Sequence, residues 1–291
     1  MTTPDTTADR THDAPVWLIT GCSTGFGREL ARAVLDRGER VVVTARDPST
    51  IQDLVAGRGD AAIALRLDVT QPDEIAAAVR TAEATFGRID VLVNNAGIGY
   101  FGAIEESEEA EVRRMFEINV FGLAAMTRAV LPGMRARRNG HVVNVASIGG
   151  LRAFPAVGFY NATKFAVVGL SESLSLEVAP LGIHVTVVAP SGFRTDWAGR
   201  SANEAPNEIA DYAETAGANR RNIRNASGRQ AGDPARAAEA IIAAVRAPVP
   251  PLFLLLGKAA LRGARAKIEL MQRDFETWEA VTVGADYPEQ A

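Results

Sequence analysis

The sequence has few of the residues from which disulfide frameworks, metal sites and nucleic-acid surfaces are built. One cysteine in 291 residues excludes an intrachain disulfide, and with three histidines it makes no metal-ligand cluster. The net charge of −4 gives no basic field for a nucleic acid. The uninterrupted apolar runs are far shorter than the roughly 20 residues that span a bilayer, so we expect no membrane segment.

Two further absences narrow the class of protein. The first 14 residues are polar and lack the cationic and apolar regions of a secretory signal. The Gly-x-Ser-x-Gly elbow of a hydrolase does not occur. With 47 % hydrophobic and 23 % charged residues, the composition is ordinary for a globular chain. We therefore expect a cytoplasmic protein with a flexible tail over residues 1–14.

The chain does contain a regular alternation of short apolar runs and longer amphipathic patterns. Near-continuous apolar strands separated by helices predict a parallel sheet covered on both faces, which is a doubly wound α/β domain. The predicted strands cover 16–20, 40–44, 61–67, 89–93, 141–146, 183–189 and 252–256. The predicted helices lie near 26–37, 72–85, 108–131, 155–179 and 234–246.

A glycine-rich turn, Thr20-Gly-Cys-Ser-Thr-Gly-Phe-Gly27, joins the first strand to the first helix. Gly21, Gly25 and Gly27 would let a pyrophosphate approach the backbone at the helix N-terminus, so the turn favours dinucleotide binding. A tight strand-to-helix connection is the alternative, because the spacing differs from the commoner Gly-x-Gly-x-x-Gly. Cys22 is expected to be a small filler of this loop, although its position could make activity sensitive to thiol reagents.

Tyr160 and Lys164 stand one helical turn apart in a chain with only four tyrosines and three lysines. Side chains at i and i+4 share a helix face, so a lysine cation there could lower the tyrosine pKa by up to roughly 3 units before desolvation opposes it. In such a pair the tyrosine can serve as a proton donor and the lysine can adjust its pKa. The alternative is that both are ordinary surface residues without a catalytic role.

Taken in order along the chain, six pieces of sequence resemble the short-chain dehydrogenase/reductase family over residues 15–257. The resemblance implies a single Rossmann-type domain with a seven-stranded parallel sheet, a nicotinamide cofactor and a catalytic tetrad of Asn119, Ser147, Tyr160 and Lys164. The matching pieces are TGCSTGFG at 20–27, Asp68, Asn94-Asn-Ala-Gly97, Asn119 in INVFG, Ser147 in VASIGG, and Tyr160-x-x-x-Lys164.

The same resemblance implies a set of residues around the cofactor. At the end of the second strand no acid is present and Arg46 follows, which favours NADP over NAD, with NAD still possible. The family's other feature of NADP binding, a basic residue directly before the middle glycine of the turn, is absent because Thr24 occupies that position. Arg28 could contribute to binding the phosphate instead. The implied cofactor residues are Gly21, Ser23, Thr24, Gly25, Phe26, Gly27, Arg46, Asp68, Val69, Asn95, Ala96, Gly97, Tyr160, Lys164, Pro190, Gly192 and Thr195.

Substrate-facing residues are predicted from aromatic and apolar side chains near the motif positions. They suggest a ketone or secondary alcohol with a hydrophobic body, although each could equally be core packing. Residues 193–232 resemble the family's substrate lid, a long surface loop being the alternative, and Ser191 departs from the family's Pro-Gly pair. The candidates for substrate contact are Leu151, Phe154, Phe159, Phe193 and Trp197.

Residues 258–291 are predicted to form a C-terminal helical extension. Apolar residues recur every three or four positions from Leu261 to Trp278, which is typical of an amphipathic helix. We expect it to dock on its own domain, with a subunit contact as the second possibility. The extension is similar to that of a family subgroup described as resembling 17β-hydroxysteroid dehydrogenases.

The sequence therefore favours an NADP(H)-dependent oxidoreductase acting on a small hydrophobic carbonyl or alcohol. A dinucleotide-sensing binding protein on the same fold is the alternative, because a fold does not fix a function. An epimerase or dehydratase would use the same tyrosine and lysine but usually has a different glycine spacing and a longer chain. The family resemblance also implies a homo-oligomer, a dimer or a tetramer.

Overall fold

The computed structural model describes residues 14–287. Residues 1–13 of the predicted tail, with His12, lie outside the described residues. Within the described part, no helix is long and apolar enough to cross a membrane.

The strands form one large parallel sheet and one short pair. All seven apolar runs predicted as strands lie in the large sheet, so the predicted fold class is confirmed. The order of the large sheet is β3-β2-β1-β4-β6-β7-β9, while β5 pairs with β8. Their bounds are β1 Val16–Ile19, β2 Arg40–Ala45, β3 Ala62–Arg66, β4 Val91–Asn94, β5 Gly99–Phe101, β6 Gly140–Val145, β7 Ile183–Pro190, β8 Ala202–Glu204 and β9 Phe253–Leu256.

The helices pack on both faces of this sheet. One core lies under α1 and α8 and includes Trp17, Val43 and Ile241. The other lies under α3 and α5 and includes Leu18, Leu92 and Met126. The helix bounds are α1 Gly25–Leu35, α2 Gln52–Val55, α3 Pro72–Phe86, α4 Glu109–Phe116, α5 Leu123–Arg137, α6 Gly158–Val178, α7 Ala218–Asn225, α8 Pro234–Val245 and α9 Lys258–Val283.

The strand order indicates where along the sheet a ligand is expected to bind. The chain builds outward from β1 through β2 to β3, and then returns to pair β4 with the other side of β1. Ligands of open α/β sheets bind beyond the carboxyl ends of the strands where the order reverses in this way. The glycine-rich turn follows β1 and the Asn94–Gly97 segment follows β4, so both predicted cofactor segments lie at this point.

Two features of the chain were not predicted from the sequence. The single helix expected over 108–131 is divided, because Glu117–Gly122 forms a π-helical segment between α4 and α5. Residues 193–232 are more than a surface loop, since they contain β8, a 3₁₀ turn at Ala210–Tyr212, a π segment at Ala213–Gly217 and α7. Both depend on contacts that a local pattern does not show.

The C-terminal helix α9 departs from the expectation that it docks on its own domain. Ala260 and Ala264 are buried against Ile148 and the half-buried Leu151 and Leu255. Every described residue from 268 to 287 is exposed, including the apolar side chains of Phe275 and Trp278. Docking on the parent domain is therefore limited to the first two turns of the helix.

The buried His141 on β6 should make stability depend on pH. Its Nε2 lies 2.9 Å from Thr186 Oγ1. Burial, with a smaller contribution from the nearby His184, lowers the pKa of His141 from 6.5 to about 4. As the pH falls below 6.5 the unfolded chain gains a proton at this histidine, whereas the folded chain stays neutral until about pH 4. The associated stability, about 3 kcal/mol, is present above pH 6.5 and is lost as the pH falls to about 4.

Denaturant unfolding of the wild type and two variants between about pH 4 and pH 7 measures this effect. We expect His141→Gln to flatten the dependence of the unfolding free energy on pH. The matched variant His184→Gln, in an exposed histidine on the neighbouring strand, should keep most of the slope. A wild-type slope in His141→Gln would show that other groups cause it.

Candidate active site

The glycine-rich turn has the backbone geometry of an anion cradle. Gly21 and Gly25 have φ of 71° and 61°, a region that favours glycine. A Cβ on Gly27 would lie 2.5 Å from both Asn95 Nδ2 and Gly21 O, so this position has no room for a side chain. The helix that follows has no side-chain cap at Thr24 and no acidic residue in its first turn. Its N-terminal N–H groups and positive dipole end suit a pyrophosphate.

Asn95 and Thr20 hold this turn against the end of β4. Asn95 Nδ2 donates to the carbonyl oxygens of Thr20 (2.8 Å) and Gly21 (2.9 Å). The Thr20 hydroxyl in turn accepts from the backbone N–H groups of Asn95 (2.9 Å) and Ala96 (3.0 Å). Thr20 was not singled out from the sequence, although a polar residue at the end of a buried strand is the signal that could have found it.

Asn94, the first residue of the matched Asn94–Gly97 segment, lies inside the fold rather than along the cleft. Its side-chain amide donates to Thr127 Oγ1 (3.0 Å) and to Asn144 Oδ1 (2.9 Å), so it links β4 to α5 and β6. Gly97 does reach the site, because a Cβ there would lie 3.7 Å from Lys164 Nζ. The segment therefore divides into a structural asparagine and residues that face the cleft.

The structure brings Ser147, Tyr160 and Lys164 together at the carboxyl end of β6. Ser147 follows this strand, and its hydroxyl accepts from the N–H of Gly149 at 3.0 Å. Tyr160 hydrogen-bonds with the Ser147 side chain and is 8 % exposed. Lys164 Nζ lies 5.7 Å from the centre of the Tyr160 ring and donates to Val145 O at 2.8 Å. A serine hydroxyl, a phenol and an ammonium group thus share one nearly dry site.

Asn119 supports this group from the π-helical segment. Its carboxamide accepts from the N–H of Ile98 and donates to the carbonyl oxygen of Ile98, both at 2.9 Å. It also donates to Thr163 Oγ1 on α6 at 3.2 Å. Asn119 is 1 % exposed, so a solvated surface asparagine is excluded. Its contacts place Ile98, the residue before β5, next to the helix that carries Tyr160 and Lys164.

Burial sets the acid strength of this pair. It raises the pKa of Tyr160 to about 12, a change that the hydrogen bond with Ser147 opposes. It also lowers the pKa of Lys164 to about 8. The expected lowering of the tyrosine pKa by its lysine is therefore not seen, because desolvation of the phenolate is the largest influence on this pKa. At neutral pH the phenol is protonated.

The loop after β7 crosses the cleft to the glycine-rich turn. Thr195 Cβ would lie 3.3 Å from a Cβ on Gly25, and the Thr195 hydroxyl accepts from Trp197 N. Pro190 ends β7 and Gly192 follows in the exposed part of the loop. Ser191, the departure from the family pattern, donates from its backbone N–H to Leu256 O at 3.0 Å. The extra residue therefore ties the loop to β9.

Of the five predicted substrate residues, Trp197 packs directly on Tyr160. Its ring centre is 4.8 Å from that of Tyr160 and 5.4 Å from that of Phe101. Phe159 belongs to the same cluster. Phe154 is exposed, and the Arg152 guanidinium lies over its ring. Leu151 packs between buried residues of α6 and the start of α9.

Phe193 lies apart from this aromatic group. It is buried against Phe26, with ring centres 5.0 Å apart, and against Gly232. The predicted substrate contact is replaced by core packing, because the loop turns this side chain toward the glycine-rich turn. Phe26, predicted near the cofactor, is its packing partner.

Arg224 on α7 is a site residue that sequence reasoning missed. It lies over the Phe101 ring at 4.7 Å and forms an ion pair with Glu204. It also donates to the carbonyl oxygens of Ala198 (3.0 Å) and Gly199 (2.6 Å), next to Trp197. An arginine in a polar stretch gives no local signal for such a role, since its partners come from β5, from β8 and from the loop before β8.

The residues predicted for the adenosine end lie beyond β2 and β3. Asp68 Oδ1 accepts from the Thr70 hydroxyl at 2.8 Å, and Val69 packs on Gly122. Arg28 forms an ion pair with Asp53 and donates to Thr50 O (3.0 Å) and Ser23 O (3.5 Å). Arg46 is exposed, and its guanidinium has no partner among residues 14–287. Of the two arginines, Arg46 is the one available to a ligand.

The described cysteine and histidine side chains provide neither a reactive thiol nor a metal-binding group at this site. Cys22 is fully buried, burial raises its pKa to about 12, and Sγ contacts Ile19 O at 3.2 Å. This environment fits a loop filler and argues against sensitivity to thiol reagents. In the part of the chain that the structure describes, no group of His, Cys, Asp and Glu side chains could hold a metal ion.

Comparison with known proteins supports the fold and the class of enzyme. Residues 15–206 match the family model described as short chain dehydrogenase. Oxidoreductase BOA17 of Botryotinia fuckeliana is 35 % identical over 271 residues, covering 93 % of this chain and 98 % of that protein. The 3-ketodihydrosphingosine reductase of Bacteroides thetaiotaomicron is 42 % identical over 199 residues, covering 68 % of this chain and 71 % of that protein.

Solved structures show the same architecture. A short-chain dehydrogenase from Streptomyces avermitilis superimposes with a TM-score of 0.89 at 44 % identity, covering 94 % of this chain and 99 % of that one. A short-chain dehydrogenase/reductase from Burkholderia phymatum, in complex with NAD, superimposes with a TM-score of 0.78 at 29 % identity, covering 90 % and 96 %.

Proposed function

This chain belongs to the short-chain dehydrogenase family, and on that premise we propose that it transfers a hydride between NADP(H) and a hydrophobic ketone or secondary alcohol. The observation that carries the proposal is the protonated, buried Tyr160 beside Ser147 and Lys164. The oxidoreductase class follows from the family. The cofactor preference, the substrate class and the role of the tyrosine are the proposed parts.

The residues present fit a nicotinamide dinucleotide. Its pyrophosphate would lie on the turn of Gly21, Gly25 and Gly27. This turn has no room for a side chain at Gly27, because a Cβ there would overlap Asn95 and the Gly21 carbonyl. Asp68 would face the adenine side and Lys164 the nicotinamide ribose. The bound cofactor supplies the hydride for carbonyl reduction and accepts it in alcohol oxidation.

In the reductive direction the chain supplies the proton. The Tyr160 phenol, protonated at neutral pH, donates to the carbonyl oxygen as negative charge develops there. The Ser147 hydroxyl holds the same oxygen. The Lys164 cation stabilises the phenolate that remains, and Asn119 fixes the helix position through Thr163.

The substrate class is proposed from the surroundings of Tyr160. Trp197 and Phe101 form an aromatic wall next to the phenol, and Phe159 extends it. Such a wall suits an apolar body with one polar group to fix its orientation. The Bacteroides relative is named as the reductase of a keto compound, which agrees with a carbonyl substrate.

The finer assignments are part of the same proposal. We place the substrate lid at residues 193–232, because Arg224 fastens the loop that carries Trp197. We retain the subgroup similar to 17β-hydroxysteroid dehydrogenases on the strength of the C-terminal helix, and the cytoplasm as the location, since the one thiol is buried and unpaired.

Arg46 should determine the preference for NADPH over NADH. A guanidinium bound to the 2′-phosphate forms a charge-assisted hydrogen bond, so we expect Arg46→Gln to raise the KM for NADPH by about 10- to 100-fold. The KM for NADH should change by less than about twofold, because that cofactor lacks the phosphate. Steady-state kinetics with both cofactors measure the ratio.

A matched control is Arg58→Gln, which removes an exposed arginine that forms an ion pair with Asp36. It should leave the ratio unchanged. If Arg46→Gln and Arg58→Gln behave alike, the selectivity lies elsewhere. Arg28→Gln then tests the neighbouring arginine that Asp53 holds.

A further inference from the structure

The start of α9 packs on the residue that follows Ser147. That residue, Ile148, begins a short 3₁₀ segment, Ile148–Gly150, which we call the serine turn because Ser147 is its N-cap. A Cβ on Gly263 of α9 would lie 3.3 Å from both Cγ1 and Cδ1 of Ile148. The helix therefore touches the serine turn at the position directly next to the serine.

Gly263 is explained by this close approach. Glycine is the least favourable residue in a helix interior apart from proline, because it loses the most conformational freedom there. Gly263 is buried together with Ala260 and Ala264, and the two alanines pack against Ile148 in one cluster. A larger side chain at 263 would have to displace either Ile148 or the helix itself. The small residues thus bring α9 against the serine turn.

Another side of the serine turn is confined by α6. A Cβ on Gly149 would lie 2.7 Å from Asn161 Oδ1, and a Cβ on Gly150 would lie 2.6 Å from the carbonyl oxygen of Lys164. The turn therefore rests on the part of α6 that contributes the tyrosine and the lysine of the site. Because α9 contacts it through Ile148, the turn is held between two helices.

The serine turn sets the position of the Ser147 hydroxyl. This hydroxyl accepts from the N–H of Gly149 at 3.0 Å, and the N–H of Gly150 donates to the carbonyl oxygen of Ser147 at 2.9 Å. The same side chain also hydrogen-bonds with Tyr160. A shift of the turn would therefore change the distance between the two hydroxyl groups that are proposed to hold the substrate oxygen.

We propose that the first two turns of α9 position Ser147 for catalysis by packing on Ile148 through Gly263. This inference rests on the proposed function, in which Ser147 holds the substrate oxygen. Gly263 is a positioning residue, because it acts through Ile148. The family model matches residues 15–206 and ends before this helix, so the C-terminal extension adds a support that lies outside the matched domain.

Hydrogen exchange of the full chain is the first test, because it needs neither cofactor nor substrate. Gly263→Leu should speed exchange over Gly149–Arg152 by at least about tenfold, since the new side chain displaces either Ile148 or the helix that packs on it. The matched control Ala259→Leu adds a similar side chain at an exposed position of the same helix and should exchange like the wild type. Unchanged exchange in Gly263→Leu overturns the proposal.

Steady-state kinetics with a hydrophobic ketone are the second test. Misplacement of a catalytic group by about 1 Å can cost on the order of 100-fold in rate, so we expect Gly263→Leu to lower kcat at least about tenfold. The dissociation constant for NADPH should stay within about twofold of the wild-type value, because the pyrophosphate would bind at the turn after β1, whereas α9 follows the edge strand β9. Ala259→Leu should keep wild-type values of both.

A compensating change separates positioning from a general loss of structure. In Gly263→Leu/Ile148→Ala, the side chain added on α9 replaces most of the one removed from the turn. We expect this double variant to exceed the kcat of Gly263→Leu by at least about threefold, because the two residues share one contact. A double variant no faster than Gly263→Leu would contradict transmission through Ile148.

Circular dichroism shows whether each variant is folded. If Gly263→Leu does not fold, Gly263→Ala replaces it in both tests, because its methyl group requires Ile148 to move by only a few tenths of an ångström. Faster exchange over Gly149–Arg152 with an unchanged kcat means that α9 supports the turn without positioning Ser147, and this overturns the inference alone. A wild type that binds NADPH but reduces no carbonyl compound overturns the proposed function, and the inference with it.

Discussion

The Tyr160→Phe variant is expected to lose about 10²- to 10⁴-fold in kcat for reduction of a hydrophobic ketone. The change removes the phenol oxygen, which hydrogen-bonds with Ser147 and is the proposed proton donor. The aromatic ring stays, so the contact with Trp197 at 4.8 Å and the buried position are preserved. NADPH binding, measured by fluorescence titration, should change little.

The measurement is NADPH consumption with a panel of hydrophobic ketones and aldehydes, wild type beside variant. Tyr212→Phe is the matched control, because it removes a phenol oxygen that bonds with Glu105 instead. This control should keep wild-type activity. Wild-type turnover in Tyr160→Phe would contradict the assigned chemistry, while tight NADPH binding with no turnover of any substrate by the wild type would favour a dinucleotide sensor.

Gly27→Ala is expected to weaken NADPH binding by about 100-fold and to lower the free energy of unfolding by about 1–3 kcal/mol. The new methyl group would lie 2.5 Å from both Asn95 Nδ2 and the Gly21 carbonyl oxygen. Neither atom can move without breaking the hydrogen bonds through which Asn95 holds the turn. The cradle at the start of α1 then loses its shape.

Calorimetric titration with NADPH and urea unfolding measure the two effects. Gly169→Ala is the matched control, since Gly169 lies in the interior of α6 and a Cβ there meets nothing within 4 Å. Because alanine is the better helix former, this control should be neutral or more stable by about 0.5–1 kcal/mol. An NADPH affinity of Gly27→Ala equal to that of Gly169→Ala would mean that the turn does not bind the cofactor.

Much of this protein was determined by short stretches of its own sequence. Strands such as Val16–Ile19 and Arg40–Ala45 are buried on both faces, so an apolar run is enough to identify them. Gly21 and Gly25 in the glycine-rich turn have a positive φ, which is a local backbone reason for glycine. Tyr160 and Lys164 meet because one helical turn separates them. Motif order along the chain then located Ser147 and Asn119 beside them.

The tertiary structure alone decided how these pieces act. Asn94 and Asn95 are neighbours in sequence, but one links the sheet to α5 and the other clamps the glycine-rich turn, since strand geometry points them in opposite directions. Phe193 and Trp197 looked equivalent, and the loop places one in the core and the other on Tyr160.

Burial and exposure are likewise properties of the folded chain. The sequence predicted a lysine that lowers the tyrosine pKa, whereas burial raises that pKa to about 12. It also predicted an amphipathic C-terminal helix, but only the fold shows that the apolar side chains beyond Ala264 are left exposed. A local pattern fixes which residues share a face of an element, and distant segments decide what that face meets, because desolvation and packing depend on everything that surrounds a side chain.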